Sequence, residues 1–180
     1  ERFATLHDRR PNPAHAAIAE LERRGLVRAV ITQNVDRLHR AAGTRRLVEV
    51  HGSIEWSVCL RCGGRVGLDR VLELLGGGDG APECASCCEP LKPDVVLFGE
   101  LLPSRAMDEA WSLAGEADLM LCVGSSLEVF PVAGLPGLTR DAGGRLAIVT
   151  QGATAYDDDA EVKLSGDVAE ELERVMAELA

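Results

Sequence analysis

A chain of 180 residues can bury one hydrophobic core with, at most, a small insert. Its net charge of −10 and its aromatic content of 3% argue against nucleic acid as a direct partner, because such interfaces need basic side chains and stacking rings. No run of about 18 apolar residues is present, so the sequence predicts neither a membrane-spanning helix nor a membrane partner. Six cysteines and the lack of a signal-peptide pattern favour a reducing, cytoplasmic compartment.

Helices and strands are predicted to alternate along the chain. Asn12 is a helix cap followed by Pro13, and Gly25 closes that first helix. Apolar runs predict strands at Val27–Ile31, Leu47–Val50, Asp94–Phe98, Asp118–Val123, Arg145–Val149 and Glu161–Leu164. Three further helices are predicted: one that ends near Gly43, one that begins at Ser104, and one that begins after the Asp167 cap and has Leu179 on its inward face. Glu1–Arg10 is interpreted as helix or loop. The alternation predicts an α/β fold with a Rossmann-like, mostly parallel sheet and helices on both faces.

Two Cys-x-x-Cys pairs, Cys59/Cys62 and Cys84/Cys87, interrupt this alternation. The spacing is typical of a four-thiolate zinc site, in which each pair lies on a tight turn that directs both sulfurs at one tetrahedral ion. Two disulfides or four free core cysteines are the alternatives. No histidine or carboxylate is placed to leave an open coordination position, so we interpret the site as structural. Cys88 is either a spare thiol or an alternative ligand.

The cysteine pairs suggest a division of the chain. We expect a discontinuous Rossmann-like domain at residues 1–52 and 92–180, with a zinc-binding module inserted at residues 53–91. The module is predicted to hold one short helix, Leu68–Leu75, followed by a flexible glycine-rich stretch, Gly76–Gly80.

Polar turns directly follow five of the predicted strands. They are Thr32-Gln33-Asn34, His51-Gly52-Ser53, Gly99-Glu100, Gly124-Ser125-Ser126 and Thr150. In an open parallel sheet the carboxyl ends of the strands share one edge, and ligands bind in the crevice there. The sequence therefore predicts a single polar site at this edge.

His51 is the candidate general base of that site, because imidazole titrates near neutral pH. The alternative is a structural histidine that hydrogen-bonds a backbone carbonyl, and the residues alone favour neither. Gln33, Asn34 and Asp36 could hydrogen-bond ribose hydroxyls, or they could simply form turns and caps.

The Gly124-Ser125-Ser126 turn could offer backbone N–H groups and hydroxyls to a phosphate, although an ordinary loop has the same composition. Cys122 lies within an apolar strand and is interpreted as an inert core thiol. His7 and His15 are expected to be surface or packing residues.

These strings resemble the sirtuins, the NAD-dependent protein-lysine deacylases. Thr32–His39, followed by Ala42-Gly43, is similar to the family signature TQN-x-D-x-LH-x-x-AG. Glu49–Ser53 resembles the catalytic histidine motif, and Lys92–Glu100 resembles the segment that follows the second cysteine pair. Gly124–Val129 is similar to the string G-[TS]-S-L-x-V. The resemblance covers nearly the whole chain, in order.

The resemblance implies a reaction in which the acyl oxygen of a protein or peptide acyl-lysine attacks C1′ of the nicotinamide ribose and nicotinamide leaves. A histidine then acts as base for a ribose hydroxyl, and the acyl group passes to ADP-ribose. By similarity, His51 is that base, and Asn34 and Asp36 order the ribose and nicotinamide pocket. The remaining implied cofactor-binding residues are Gln33, Gly124, Ser125, Ser126 and Thr150. The implied substrate-binding residues are Val96, Phe98 and Gly99, which would line the acyl-lysine tunnel and pair with the substrate backbone.

The chain also departs from the family. Thr150 stands where the family usually has Asn, which leaves one adenosine contact open. No glycine-rich phosphate turn precedes Gly25, so we expect the family's first strand and turn to lie upstream and these 180 residues alone to bind NAD poorly. Arg37 and the stretch Thr44–Leu47 are more similar to the class II branch. The alternatives in function are a catalytically inactive protein whose zinc module is an interaction surface, and a protein ADP-ribosyltransferase.

Overall fold

The computed structural model describes residues 9–76 and 80–179. His7, nearly all of the predicted helix or loop at Glu1–Arg10, and the centre of the glycine-rich stretch lie outside the described residues.

Helices and strands alternate through most of the described chain, as predicted. The helices are α1 (Pro13–Arg23), α2 (Leu38–Ala41), α3 (Leu68–Gly76), α4 (Ser104–Gly115), α5 (Leu135–Asp141) and α6 (Val168–Glu178), with 3₁₀ turns at Val132–Gly134 and Asp157–Asp159. The strands are β1 (Val30–Thr32), β2 (Leu47–Glu49), β3 (Gly52–Cys59), β4 (Arg65–Gly67), β5 (Leu91–Val95), β6 (Leu119–Val123), β7 (Arg145–Val149) and β8 (Val162–Leu164).

Two parallel half-sheets form the central layer. β1 pairs in parallel with β2, and β6, β7 and β8 pair in parallel in that order. No described strand joins β1 to β6, so the two half-sheets are not hydrogen-bonded to each other within residues 9–76 and 80–179.

The same helices cover both half-sheets. α1 packs in one hydrophobic cluster with Val30 of β1 and Val123 of β6. α4 packs in another with Ile31 of β1 and, alongside it, Met120 of β6. Because successive residues of a strand point to opposite faces, the half-sheets lie between two helical layers. The predicted Rossmann-like α/β fold is thus confirmed.

Capping residues set the helix ends that the sequence predicted. Asn12 Oδ1 accepts the His15 N–H at 3.1 Å, and Pro13 begins α1. Gly25 follows that helix with φ +76°, a conformation that favours glycine. Asp167 Oδ1 accepts two N–H groups at the start of α6.

The inserted part is built on an antiparallel sheet. β3 pairs with β4 on one side and β5 on the other. Val71 of α3 packs in a small buried cluster with Cys59 of β3, Leu91 of β5 and Cys84. This cluster is separate from the clusters that hold the parallel half-sheets.

The predicted strand Asp94–Phe98 is wrong. β5 covers Leu91–Val95 and runs antiparallel to β3, and the residues after Val95 form a turn. The apolar run at Val95–Phe98 suggested a buried parallel strand. The strand instead forms earlier, at Leu91–Val95, because the edge of β3 supplies an antiparallel partner there. As a result Phe98 is fully exposed, and Gly99-Glu100 does not follow a strand of the parallel sheet.

Two smaller predictions are also wrong, and one helix was missed. β1 begins at Val30 because the Val27 N–H closes the end of α1 by bonding the Leu21 carbonyl at 3.2 Å. α5 was missed because Pro136 and its flanking glycines are typical of loops, although proline fits the first turn of a helix. Leu179 was expected to face inward but is 48% exposed, since α6 ends beside it.

A tight corner joins the parallel half-sheet to the antiparallel one. β2 ends at Glu49, β3 begins at Gly52, and Gly52 has φ +74°. A Cβ at this position would lie well inside van der Waals contact of the Asp94 carbonyl oxygen on β5. Only glycine therefore satisfies both the backbone conformation and the approach of β5.

We predict that Gly52→Ala destabilises the protein strongly, and Gly25→Ala is the matched control. Gly25 has φ +76°, but nothing lies within 4 Å of the place that a methyl group would take, so alanine there costs only the left-handed backbone, about 1–2 kcal/mol. Gly52→Ala adds a clash with backbone, and its free energy of unfolding should fall about 1–3 kcal/mol further. Denaturant unfolding of both variants measures the difference, and equal losses would show that β5 does not press on the corner.

Candidate functional site

His51 lies at the corner, where three segments meet. Its Nδ1 is 3.1 Å from the backbone oxygen of Gln33, which follows β1. Its own carbonyl accepts the Val96 N–H at 2.9 Å, just after β5. The preceding residue, Val50, extends the parallel pairing by donating its N–H to the Thr32 carbonyl at 3.1 Å. Backbone pairing on both sides therefore fixes the position of the ring.

The contact with Gln33 also fixes the tautomer. A carbonyl oxygen can only accept a hydrogen bond, so Nδ1 carries the proton and donates it. In the neutral imidazole this leaves the lone pair on Nε2. The two interpretations of His51 are thus compatible: it bonds a backbone carbonyl, and the bond prepares the other nitrogen to act as a base.

The polar segment after β1 is partly committed to local structure. Asp36 Oδ1 accepts the Leu38 N–H at 2.9 Å and forms a turn just before α2, whose N-cap is Arg37, so the turn alternative is present. The Asn34 N–H is held by Thr32 Oγ1 at 3.1 Å, whereas the Asn34 side chain is exposed and has no hydrogen-bond partner among the described residues. Asn34 is therefore available to a ligand, and Asp36 has one oxygen already engaged.

A second polar group follows β6 and β7. Gly124 (φ +61°) donates its N–H to the Val149 carbonyl at 2.9 Å, and Ser125 Oγ accepts the Leu127 N–H at 3.2 Å. Thr150 donates its N–H to the Leu164 carbonyl at 3.0 Å. The segment is a turn and does not open a helix, so its phosphate-binding capacity rests on individual N–H and hydroxyl groups.

The predicted site residues thus form two groups at carboxyl ends of parallel strands. Within the described part of the chain no hydrogen bond joins the group around His51 to the group around Gly124. The helical layers that pack on both half-sheets hold the two groups on one framework.

The substrate-binding residues expected from the resemblance lie in the turn after β5. Val96 is bonded to His51, Phe98 is fully exposed, and Gly99 has φ +88°. This turn was predicted as the end of a strand, but its direct bond to His51 places it beside the candidate base.

The four cysteines of the two pairs come together, as predicted. The Sγ atoms of Cys59, Cys62, Cys84 and Cys87 all lie within 4.8 Å of one another. The Cys59–Cys87 and Cys62–Cys84 pairs are 3.4 and 3.6 Å apart. Zn–S bonds of about 2.3 Å in a tetrahedron require sulfurs about 3.8 Å apart, so the cluster fits zinc and is too open for two S–S bonds.

Both cysteine pairs use the same turn. The Cys59 carbonyl accepts the Gly63 N–H at 2.9 Å, and the Cys84 carbonyl accepts the Cys88 N–H at 2.9 Å. Gly63 and Cys88 both have positive φ, +72° and +56°. Cys88 is therefore the counterpart of Gly63, a turn residue, and it lies outside the group of four sulfurs.

Backbone hydrogen bonds in these turns lower the pKa of two of the four thiols, Cys59 and Cys84, and so favour the thiolate, the form that binds zinc. Hydrogen bonds from Ser86 and Cys87 lower the pKa of Cys84 to about 6. A hydrogen bond from Cys62 lowers the pKa of Cys59. By contrast, burial raises the pKa of Cys122 to about 11, consistent with an inert core thiol.

One contact near the site was not anticipated from the sequence. The rings of His15 and His39 pack with centroids 4.8 Å apart, which joins α1 to α2. Burial lowers the pKa of both imidazoles. A histidine pair separated by 24 positions has no sequence signal beyond the two residues themselves, because only the tertiary fold brings them together.

A model of the Sir2 family matches residues 2–131. The chain belongs to the Sir2 family. The NAD-dependent protein deacetylase of Thermotoga maritima is 45% identical over 169 residues, covering 94% of this chain and 68% of the relative. The NAD-dependent protein deacylase 2 of Archaeoglobus fulgidus is 45% identical over 170 residues, covering 94% of this chain and 67% of the relative. This Sir2-family chain thus spans about two thirds of the length of these relatives.

Solved structures agree with the family assignment. A Sir2 structure with a p53 peptide and NAD+ superimposes with a TM-score of 0.93 at 43% identity, covering 98% of this chain and 75% of that one. A Sir2 protein bound to a propionylated peptide gives the same TM-score and identity, covering 98% of this chain and 76% of that one.

No described helix of this Sir2-family chain combines the length and apolar character needed to cross a bilayer.

We predict that Cys84→Ser abolishes zinc binding and that Cys88→Gly, the matched control, retains it. Cys84 supplies a stabilised thiolate to the cluster, whereas Cys88 occupies a left-handed turn position that glycine adopts more easily. Metal analysis of the purified variants provides the measurement. Because binding energy in such sites is folding energy, Cys84→Ser should also unfold the inserted sheet. Zinc lost from Cys88→Gly instead would reverse the ligand assignment.

Proposed function

We propose that this Sir2-family chain carries the base and the substrate-binding turn of an NAD-dependent protein-lysine deacylase. The enzyme transfers the acyl group from lysine to ADP-ribose and releases nicotinamide. The observation that carries the proposal is the hydrogen bond from His51 Nδ1 to the Gln33 carbonyl, which leaves Nε2 free as a base. Relatives covering 94% of the chain are named NAD-dependent protein deacetylase and deacylase, which supports the same reaction.

His51 is the general base of this reaction. NAD, as the co-substrate, offers a ribose carbon from which nicotinamide can leave and ribose hydroxyls that become acyl acceptors. Nε2 of His51 takes the proton from a ribose hydroxyl, and the Gln33 carbonyl stabilises the resulting imidazolium through the Nδ1–H bond. The backbone pairings that fix the ring limit its motion, which favours a single geometry for proton transfer.

Polar groups around the base bind the co-substrate. The exposed Asn34 amide and the second oxygen of Asp36 contact the ribose and the nicotinamide. Gln33 lies beside them, and the turn Gly124–Ser126 with Thr150 binds the opposite end of the dinucleotide. The Ser126 hydroxyl has no partner among the described residues, so a phosphate or ribose oxygen could accept its hydrogen bond.

The acyl-lysine peptide binds at the turn after β5. The tunnel for the acyl-lysine is lined by Val96, Phe98 and Gly99. The exposed backbone of the turn pairs with the peptide as an added strand. Solved relatives with acetylated and propionylated peptides support acyl-lysine as the substrate class. The bond from Val96 to His51 keeps this turn next to the base.

The wider organisation follows from this assignment. We keep the division expected from the sequence, a discontinuous Rossmann-like domain at residues 1–52 and 92–180 and a zinc module at residues 53–91, although the antiparallel sheet of the module continues to Val95 in β5. Zinc, when bound, supplies structural cross-links between the ends of the module.

Four thiolates that must stay reduced favour a cytoplasmic location. The net charge of −10 argues against nucleic acid as a direct partner, and acylated proteins are the proposed partners.

We predict that His51→Ala in the full-length protein lowers deacylation about 10²–10⁴-fold, the usual effect of losing a general base. The assay follows acyl-peptide turnover with NAD present and omitted, using peptides that carry different acyl groups. Zinc content and circular dichroism should be unchanged, because His51 lies outside the cysteine cluster.

Two outcomes would contradict this function. Turnover close to wild type in His51→Ala would remove the base assignment. Transfer of labelled ADP-ribose to protein, without loss of acyl groups from the peptides, would identify the protein as an ADP-ribosyltransferase.

A further inference from the structure

The turn after β5 has almost no hydrophobic packing to hold it. Phe98 is 110% exposed, Leu101 is 94% exposed and Leu97 is 52% exposed. Burial of apolar surface is the main source of order in loops of this size, and it is missing here. The conformation of the turn must therefore depend on its polar contacts.

One carboxylate organises the turn from inside. Glu100 Oε2 accepts the Leu97 N–H at 2.9 Å, and the Glu100 N–H donates to the Leu97 carbonyl at 3.0 Å. Gly99, with φ +88°, allows the chain to reverse between these two residues. The side chain and the backbone of Glu100 thus close the same four-residue turn.

A lysine on β5 fastens that carboxylate to the sheet. Lys92 Nζ lies 2.9 Å from Glu100 Oε2, and it donates to the Val95 carbonyl at 2.8 Å. Lys92 itself lies within the β3–β5 pairing, opposite Val58. The ammonium group therefore connects a rigid strand, the last residue of that strand and the end of the turn.

The other end of the turn is attached to the candidate base. The Val96 N–H donates to the His51 carbonyl at 2.9 Å. Between the two attachments the N–H groups of Phe98 and Gly99 have no hydrogen-bond partner among the described residues. The turn consequently presents free backbone donors on a short segment held at both ends.

From these contacts we propose that Lys92 and Glu100 are positioning residues for the acyl-lysine substrate, an ion pair that holds Val96–Gly99 in the conformation that receives the peptide. The inference rests on the proposed function. Neither side chain touches the reacting atoms, so the pair acts through the turn.

The physical basis is a population effect. An exposed ion pair contributes little to global stability, and Glu100 is 42% exposed on its side chain. Without the pair, the turn samples other conformations, and the peptide affinity falls in proportion to the binding-competent fraction. The affinity for NAD and the proton transfer at His51 do not depend on that fraction.

The test compares kinetic constants in the full-length enzyme. Glu100→Ala and Lys92→Met should each raise the KM for an acetyl-lysine peptide about 5- to 30-fold, the range expected when one or two charge-assisted hydrogen bonds are lost. The KM for NAD and the kcat should stay within about 2-fold. The effects of the two substitutions should be less than additive in the double variant, because both remove the Lys92–Glu100 contact. Lys92→Arg should keep the peptide KM near wild type.

Arg65→Met is the matched control. It breaks an exposed ion pair in which an Arg65 guanidinium nitrogen lies 2.6 Å from Asp94 Oδ2. Asp94 is on the same strand as Lys92, but this ion pair does not contact the turn. Its peptide KM should not change. An unchanged peptide KM in Glu100→Ala, or a parallel rise in the KM for NAD, would overturn the positioning role.

Hydrogen exchange distinguishes failure of this inference from failure of the proposed function. The Leu97 amide should exchange faster in Glu100→Ala than in wild type or Arg65→Met, whether or not the protein deacylates. If the wild-type protein does not deacylate peptides, the proposed function fails. Faster exchange of the Leu97 amide in Glu100→Ala would still support the role of the ion pair in holding the turn. Unchanged exchange in Glu100→Ala would contradict that role.

Discussion

The corner at His51–Gly52 is the constraint on which the site depends. Here the chain leaves the parallel half-sheet and enters the antiparallel one, with Gly52 at φ +74° pressed against the Asp94 carbonyl. The same corner bonds His51 to the Gln33 carbonyl on one side and to the Val96 N–H on the other. The proposed co-substrate pocket, the candidate base and the proposed substrate turn therefore share one backbone junction, and a shift of that junction would displace all three.

The cysteine cluster supports this junction from a distance. β3 begins at Gly52 and ends at Cys59, and Cys59 pairs with Leu91 at the start of β5. A zinc ion on the four sulfurs would clamp these strand ends, because binding energy at such a site is folding energy. β5 in turn carries Lys92, so the cysteine cluster, the turn after β5 and His51 are linked through the same two strands. A structural metal can thus affect activity without contacting any substrate.

The sequence predicted the elements whose signals are local. Asn12 and Asp167 marked helix starts, and the apolar run Arg145–Val149 marked a strand to the residue. The repeated Cys-x-x-Cys spacing predicted the cysteine cluster, and the polar residues after the apolar runs predicted the turns that follow β1, β6 and β7. The segment around Phe98 was misassigned because its pairing depends on β3, a partner that no local pattern reveals. The tautomer of His51 could not be predicted either, since it depends on which backbone oxygen the parallel pairing places beside the ring.

The position of the proton on the His51 ring can be measured in solution. The sequence holds four histidines, so ¹⁵N NMR of histidine-labelled protein near neutral pH, with His51→Ala for assignment, resolves this one ring. In the neutral form of the ring, the proton should lie on Nδ1 and the lone pair on Nε2. A proton on Nε2 of the neutral ring would contradict this expectation, because the nitrogen required as the base would already be occupied and the Gln33 carbonyl would face a lone pair.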